Sequence, residues 1–124
     1  MTEMTNDSMG KHTGIGEVQI ANEVVASIAG ISASEVEGVD SMAGGLAGEL
    51  AGMLGKKKLT KGVKVQMELG VVHVDMMISV RYGYSIPKTC KQVQEKVMQA
   101  INSMTGLTVK QVNVRIAGVS LEQD

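Results

Sequence analysis

Residues 63–81 read VKVQMELGVVHVDMMISVR, and this stretch decides the fold. Aliphatic and methionine side chains alternate with mostly polar ones on both sides of Gly70. Two such runs joined by a glycine turn are typical of a β-hairpin, because alternate residues of a strand face opposite sides of the sheet. The sequence therefore predicts an antiparallel hairpin with one dry face and one mostly polar face.

An amphipathic helix is predicted before this hairpin, starting near Val18. Ile20, Val24, Val25 and Ile28 fall on one helical face, and three alanines add helix preference. A glycine at position 30 interrupts the pattern, but the apolar residues that follow extend it. The sequence therefore predicts a helix that ends before residue 38.

A second helix is predicted over residues 85–104, directly after the hairpin. Its apolar positions recur in steps of three and four residues, the spacing of a core-facing stripe. These positions are Ile86, Cys90, Val93, Val97, Ile101 and Met104. Pro87 suits the first turn of a helix, and Gly106 suits the residue that ends one.

A last strand is predicted where Val112, Val114 and Ile116 alternate with polar residues. The order helix, two strands, helix, strand predicts the α+β class: a small sheet including an antiparallel hairpin, with helices packed mainly on one face. We expect residues 1–13 to form a disordered tail, residues 14–120 a single domain and residues 121–124 a short tail.

The composition is that of a foldable, water-soluble chain of 124 residues, with 44% hydrophobic and 20% charged residues. Phe and Trp are absent, so ten methionines and many valines and isoleucines must fill the core. A lone cysteine fits a reducing compartment, and no segment approaches the ~20 apolar residues of a membrane-spanning helix. We therefore expect a cytoplasmic protein that meets a membrane only indirectly, through a partner.

Charge is unevenly distributed along the chain. Residues 1–55 contain eight acidic residues and one lysine, whereas residues 56–124 contain eleven basic and five acidic residues. Two interpretations remain open: the halves face each other within one fold, or the molecule associates head-to-tail with copies of itself.

Candidate catalytic and metal-binding residues lack the partners that their chemistry needs. His73 and Asp75 share the polar face of one strand, but no third ligand has a suitable spacing, and His12 lies in the expected tail. Cys90 belongs to an apolar helix stripe and has no histidine paired with it in the sequence. The Gly-Lys at 55–56 lacks the upstream glycine of a phosphate-binding loop. We expect no catalytic residue, no metal and no cofactor.

The candidate interaction surface lies in residues 43–61. Glycines four residues apart allow close helix–helix contact but weaken a helix by about 1 kcal/mol each. A run of lysines follows, and it is either a solvated loop or a site for RNA phosphates, anionic lipid headgroups or an acidic protein patch. RNA is the weakest option, because no strand carries an aromatic stacking platform. The surface comprises Gly44, Gly48, Gly52, Lys56, Lys57, Lys58 and Lys61.

An ordered set of short segments resembles the alkaline-shock, or envelope stress response, proteins of mainly Gram-positive bacteria, whose domain has long been catalogued as of unknown function. The segments are Gly16-Glu-Val-Gln-Ile-Ala, Glu35-Val-Glu-Gly-Val39, Gly62-Val-Lys-Val65, Tyr82-Gly83 with Ile86-Pro87, Val93-Gln-Glu-Lys-Val97, Met104-Thr-Gly-Leu-Thr-Val109, Val112-Asn-Val114 and Gly118-Val119. They run in order from about residue 14 to 120, and the ordered set, not any one segment, carries the resemblance.

This resemblance implies a non-enzymatic protein linked to envelope or alkaline stress, with no agreed active site. Some members self-associate and reach the membrane through a small anchor protein, whereas others are thought to act on fatty-acid synthesis. The leading hypothesis is therefore a self-associating or partner-binding stress protein. The first alternative is a regulator that binds a fatty-acid-synthesis enzyme. The second is a binder of RNA or anionic lipid through the run from Lys56 to Lys64.

Overall fold

A computed structural model describes residues 12–13, 15–40 and 62–121 of the chain. In chain order, the elements are β1 (His12–Thr13), β2 (Gly16–Glu17), α1 (Asn22–Ser34), β3 (Val63–Glu68), β4 (Val71–Arg81), α2 (Ile86–Thr105) and β5 (Thr108–Ser120). β1 and β2 form a two-residue antiparallel pair. The predicted tails at 1–13 and 121–124 fall mostly outside the described residues and stay predictions.

The main sheet has the order β3-β4-β5, with β4 antiparallel to β3 and parallel to β5. Both helices of the described residues pack on one face of this sheet, α1 over β3 and α2 over β5. The predicted α+β class is confirmed, including the antiparallel hairpin.

The hairpin turn has both central residues, Leu69 (φ 50°) and Gly70 (φ 78°), in the left-handed region. Two consecutive positive φ values define the type I′ turn, whose twist matches that of the flanking strands. The turn fixes the register so that Glu68 pairs with Val71 and Val65 with Val74. Leu69 is a poor residue for this conformation, since its side chain disfavours positive φ, and it is 82% exposed.

The core lies between the helices and the dry face of the sheet. Its fully buried side chains come from both helices and the sheet, and every one of them is aliphatic. The largest of them among the described residues are Val25, Val72, Val74, Ile78, Val80, Val93, Val97 and Ile101. Aliphatic residues of similar size therefore fill the space that aromatic rings occupy in many domains.

α2 matches its predicted limits within one residue because its ends carry strong signals. The Ser85 hydroxyl accepts a hydrogen bond from the Lys88 N–H at 3.3 Å, and Gly106 ends the helix at φ 79°. The predicted stripe is buried only in its middle: Ile86 and Met104 are exposed and Cys90 is half-buried. The two ends of the helix therefore extend past the sheet that covers its centre.

α1 differs from its prediction in two ways. It begins at Asn22, not near Val18, and Val24 is 48% exposed, whereas its neighbour Val25 is fully buried. Adjacent residues of a helix point about 100° apart, and the core-facing arc of α1 includes Val25 and Ala26 but not Val24. Small buried residues, including Ala29 and Gly30, lie on the Val25 side and let α1 pack closely against α2.

Candidate interaction surface

The predicted interaction residues do not fall in the part of the chain that the structure describes. Gly44, Gly48, Gly52, Lys56, Lys57, Lys58 and Lys61 all lie in the undescribed range 41–61. Lys64, the last lysine of the basic run, is on β3 and is exposed. The described structure instead presents two other surfaces: the helix-free face of the sheet and the outer edge of β5.

The helix-free face carries polar side chains in rows across the three strands. In one row, Lys64 pairs with Asp75, which pairs with Asn113. The Asn113 amide Nδ2 donates to Asp75 Oδ1 at 2.8 Å. Because opposite residues on adjacent strands bring their side chains together, this row forms one connected polar strip.

A second row crosses the same face two residues away. His73 lies between Gln66 and Gln111, and its Nδ1 is 3.4 Å from Gln111 Oε1. Gln111 Nε2 also reaches Asn113 Oδ1 at 3.5 Å, which links the two rows. His73 and Asp75 share one face, as the alternation predicts, but each is engaged with an amide from β5.

A shallow depression of about 520 Å³ lies on this face beside the first row. Lys64 and Arg115 lie at its rim, and Gly62 and Met77 also line it. Neither cation forms an ion pair with a described residue; the pair that the described chain does form joins Lys96 and Glu35 of the helix layer, at 3.4 Å. Within the described residues, the depression is therefore lined by two cations and one carboxylate, that of Asp75.

The outer edge of β5 is defined by the direction of its backbone groups. The Met77 N–H donates to the Gly62 carbonyl, which lies on the β3 side of β4. Because successive residues of a strand direct their backbone groups to opposite sides, odd-numbered residues of β4 bond to the β3 side and even-numbered residues bond to β5. Where the backbone N–H and C=O groups of a β4 residue bond to β5, the β5 residue directly opposite has its own backbone groups directed away from β4. Val112, Val114 and Ile116 are such partners, so their N–H and C=O groups point out of the sheet.

One of these outward groups is capped by a helix. Gln94 Nε2 of α2 donates to the Val112 carbonyl at 2.9 Å. Within the described residues, the outward N–H and C=O groups of Val114 and Ile116 have no protein partner. Register shifts at Lys110 and Ala117 place a β-bulge on either side of this run. The outer edge of β5 is therefore a six-residue regular template, Gln111 to Ile116, between two bulges.

The opposite side of the sheet is covered further. β3 has only six residues, and Asn22 Nδ2 of α1 donates to its Val65 carbonyl at 3.1 Å. Past the end of β3, residues 38–40 bond to β4. The Asp40 N–H donates to the Ser79 carbonyl, and the Arg81 N–H donates to the Gly38 carbonyl, both at 2.8 Å. β3 therefore leaves a six-residue outer edge with one capped carbonyl, as β5 does between its bulges, and residues 38–40 cover the rest of β4.

The backbone conformation and the close Tyr84 ring both favour glycine at position 38. Its φ is +100°, and a Cβ there would lie 2.8 Å from Cδ2 of Tyr84. The Tyr84 ring thus rests on the backbone of the segment that covers β4. Gly83, at nearly the same φ of +99°, has open space around its missing Cβ.

The groups with catalytic potential are not assembled into a site within the described chain. Burial raises the pKa of the Cys90 thiol, which disfavours the reactive thiolate. Across residues 12–13, 15–40 and 62–121, no three His, Cys, Asp or Glu side chains cluster in the way a metal ion would need. Neither described helix has both the length and the apolar composition required to cross a bilayer.

The model of the alkaline shock protein family, a family described as having a cell envelope-related function, matches residues 10–121. This match spans both helices and all of the sheet. The chain belongs to the alkaline shock protein family. The predicted resemblance to these proteins is therefore confirmed.

Relatives in this family are found in Bacillus subtilis and Streptococcus pyogenes. The chain is 40% identical to the uncharacterized protein YqhY of B. subtilis, covering 89% of this chain and 82% of the relative. It is 36% identical to YloU of the same bacterium, covering 90% and 95%. It is 25% identical to a stress response regulator gls24 homolog of S. pyogenes, with 87% of this chain aligned to 61% of that longer protein. These family and protein names describe a stress- and envelope-related group and specify no reaction.

Among solved structures, a variant of MamM CTD superposes with a TM-score of 0.48 at 16% identity, covering 77% of this chain and 94% of that one. The score and identity are too low to support an argument about function.

Sequence reasoning located the polar face of the hairpin but missed the β5 edge. The polar face could be predicted because apolar and polar residues alternate along the hairpin sequence. An open edge depends on strand order and on backbone groups that every residue has, so no residue type marks it. The usable signal was the strand–helix–strand order from β4 to β5, which is typical of a parallel crossover.

Proposed function

We propose that this member of the alkaline shock protein family is a non-enzymatic, cytoplasmic component of the envelope and alkaline stress response that works by binding proteins. Its partner is a second copy or another protein, such as a small membrane anchor that brings it to the envelope. The binding surface is the outer edge of β5 together with the helix-free face beside it. The observation that carries the proposal is the row of outward backbone groups at Val114 and Ile116, which have no partner among the described residues.

An open strand edge supports binding because an incoming strand can pair with it through main-chain hydrogen bonds. Such edges are normally shortened, covered or charged, since they also pair with unwanted chains. Here the bulges at both ends confine the pairing window to one short run, which favours a specific partner over open-ended aggregation. The polar rows on the adjoining face supply side chains that can distinguish one partner from another.

The envelope setting is supported by the family description and by the stress-regulator name of the S. pyogenes relative. The same surface would serve the alternative role of a regulator that binds a fatty-acid-synthesis enzyme. The two roles predict different recovered proteins, so one experiment separates them.

The test is affinity capture from cells grown at alkaline pH, with the protein and two proline variants as baits. Val114→Pro removes an outward N–H at the β5 edge, and Val65→Pro is its match on the β3 edge. Proline is tolerated where the N–H of an edge strand faces solvent, so both variants should keep their fold. We expect the wild type and Val65→Pro to recover a membrane or envelope protein that Val114→Pro fails to recover.

The captured protein must then bind the purified chain directly, with the same dependence on Val114. Recovery of a fatty-acid-synthesis enzyme in its place would establish the alternative role. A partner that Val114→Pro retains as well as the wild type does would show that the β5 edge is not the binding surface. Circular dichroism of each bait checks that all three are folded.

A further inference from the structure

We infer that the occupant of the β5 edge is the β5 strand of a second copy, paired antiparallel about a two-fold axis at Val114. The inference rests on the proposed function, because it names the partner for the same edge. Two three-stranded sheets would then join into one continuous six-stranded sheet, with the four described helices on one side.

The backbone register follows from which groups point outward. In an antiparallel pair, two residues that face each other can exchange both N–H···O bonds. A two-fold axis at Val114 places it opposite its own copy and places Val112 opposite Ile116. All three outward residues of the regular run then pair, whereas an axis at Val112 or Ile116 would carry the pairing into a bulge.

The capped carbonyl does not block this arrangement. Gln94 holds the Val112 oxygen from the helix side. A carbonyl oxygen has two lone pairs, so it can accept from Gln94 and from the Ile116 N–H of the second copy together.

Charge complementarity on the helix-free face supports the same register. With Val114 on the axis, Asn113 lies directly opposite Arg115 of the second copy. The first row then continues across the interface as Lys64, Asp75, Asn113 and the second copy's Arg115. Arg115 has no ion pair within the described chain, and Asp75 lies two strand spacings, about 10 Å, away, within reach of a long side chain beside Asn113. The arrangement occurs twice, once on each side of the axis.

The helix side of the edge also favours a copy of this chain. Val114 and Ile116 are half-buried at the margin of the core, facing the α2 layer. Antiparallel pairing sets Val114 against its own copy and Ile116 against Val112. These apolar groups become covered by identical or similar ones, whereas the opposite face of the strand remains polar.

The experiment measures self-association of the purified 124-residue chain by sedimentation and light scattering up to about 1 mM, a concentration that detects association as weak as about −4 kcal/mol. We expect a dimer for the wild type and for Val65→Pro, and a monomer for Val114→Pro. A wild type that is monomeric throughout, or a Val114→Pro variant that still dimerises, overturns the inference.

A charge-exchange test covers the case in which proline disturbs the strand itself. Arg115→Glu sets a carboxylate near Asp75 of the second copy, and Asn113→Lys sets a cation opposite Arg115. Both positions are exposed, so the fold should tolerate each change. We expect each variant alone to dimerise about tenfold more weakly than the wild type, since the unfavourable contact occurs twice.

An equimolar mixture of the two variants should recover most of the wild-type affinity. In the mixed dimer, one contact joins Glu and Lys and the other restores the native Asn113–Arg115 pair. A mixture that associates no better than either variant overturns the register. If the chain is a monomer but still captures an envelope protein through β5, the second-copy inference fails and the proposed function stands. Dimerisation through β5 with no envelope partner upholds the second-copy inference and contradicts the envelope role of the proposed function.

Discussion

On each side of the three-stranded sheet a helix side chain caps one edge carbonyl, but the two sides differ in strand length and in what covers them. On each side, an amide from the overlying helix donates to one edge carbonyl: Asn22 to Val65 on β3, and Gln94 to Val112 on β5. β3 stops after six residues, and the segment at residues 38–40 covers the rest of β4. β5 runs for 13 residues, and no described segment pairs with its outer side.

This difference shows how a small sheet can cover the end of its central strand with a short segment and leave a longer edge strand uncovered. Shortening and covering are ordinary ways to prevent unwanted strand pairing. On β5 the protection is limited to two bulges and one helix cap, which leave a defined window open. Because water can satisfy the backbone groups of that window, the open edge adds nothing to the stability of the monomer, and its presence favours a role in binding.

The largest expected effect comes from comparing the central strand with both edges. Val74→Pro removes a ladder hydrogen bond to β5 and disturbs the core, and it should lower the free energy of unfolding by more than about 3 kcal/mol. Val65→Pro and Val114→Pro remove outward N–H groups only and should lower it by about 1 kcal/mol or less. Urea denaturation of the three variants makes the comparison. A Val114→Pro variant as unstable as Val74→Pro would mean that this N–H is bonded within the monomer.

The covered side can be opened at Gly38. Gly38→Ala forces a side chain into positive φ and against the Tyr84 ring, and should destabilise the fold by about 2 kcal/mol. Gly83→Ala is the matched control, since it has nearly the same φ and no neighbour within 4 Å. Thermal denaturation should show the Gly38 variant to be the less stable of the two. Equal losses would indicate that Tyr84 moves aside and that the ring does not hold the covering segment.

The two helix caps can be removed one at a time. Gln94→Ala and Asn22→Ala should each lower the free energy of unfolding by about 1 kcal/mol, because each deletes one side-chain hydrogen bond to an edge carbonyl. Gln94→Ala should also strengthen self-association by a few fold, since pairing now satisfies a carbonyl that the monomer leaves to solvent. Sedimentation of both variants measures this. Equal effects on association would remove the distinction between the two edges.

The smallest effect is expected at the hairpin turn, away from both open and covered edges. Leu69→Asn should raise the free energy of unfolding by about 0.5 kcal/mol, because Asn tolerates the positive φ that a type I′ turn requires. The variant should leave self-association unchanged, as measured by sedimentation. It therefore serves as a reference for changes in stability that do not act through an edge. A loss of stability would mean that the exposed Leu69 side chain makes a contact that favours leucine.

The sequence predicted the elements whose signals are local. The hairpin follows from alternation around Gly70, and α2 follows from its stripe, Ser85 and Gly106. β5 was predicted only over its middle, because each bulge adds a residue, at Lys110 or Ala117, that breaks the alternation. The first helix was harder, since Val24 and Val25 both fit a helical stripe by spacing and only packing against α2 selects Val25.

The candidate site was harder to predict, for a physical reason. The glycines and lysines of residues 43–61 stand out by composition, and their role stays a prediction. The β5 edge consists of peptide groups that look alike in every strand, and only the order β3-β4-β5 exposes them. A contact between Asn113 and Arg115 of two copies can be inferred only once that edge is known, because their positions beside Val114 place them opposite each other across the inferred two-fold axis.

The position of the Tyr84 ring against Gly38 also determines which part of the molecule optical spectroscopy can monitor. With no Trp or Phe in the chain, Tyr82 and Tyr84 are its sole aromatic chromophores, and both lie in the turn that follows β4. Near-ultraviolet absorbance and intrinsic fluorescence therefore observe this end of the sheet, where Tyr84 contacts Gly38 and Tyr82 bonds to Ser120, and are blind to the middle of β5. Separation of residues 38–40 from β4 should change the emission of Tyr84, whereas strand pairing at Val114 is optically silent until a tryptophan is placed beside it.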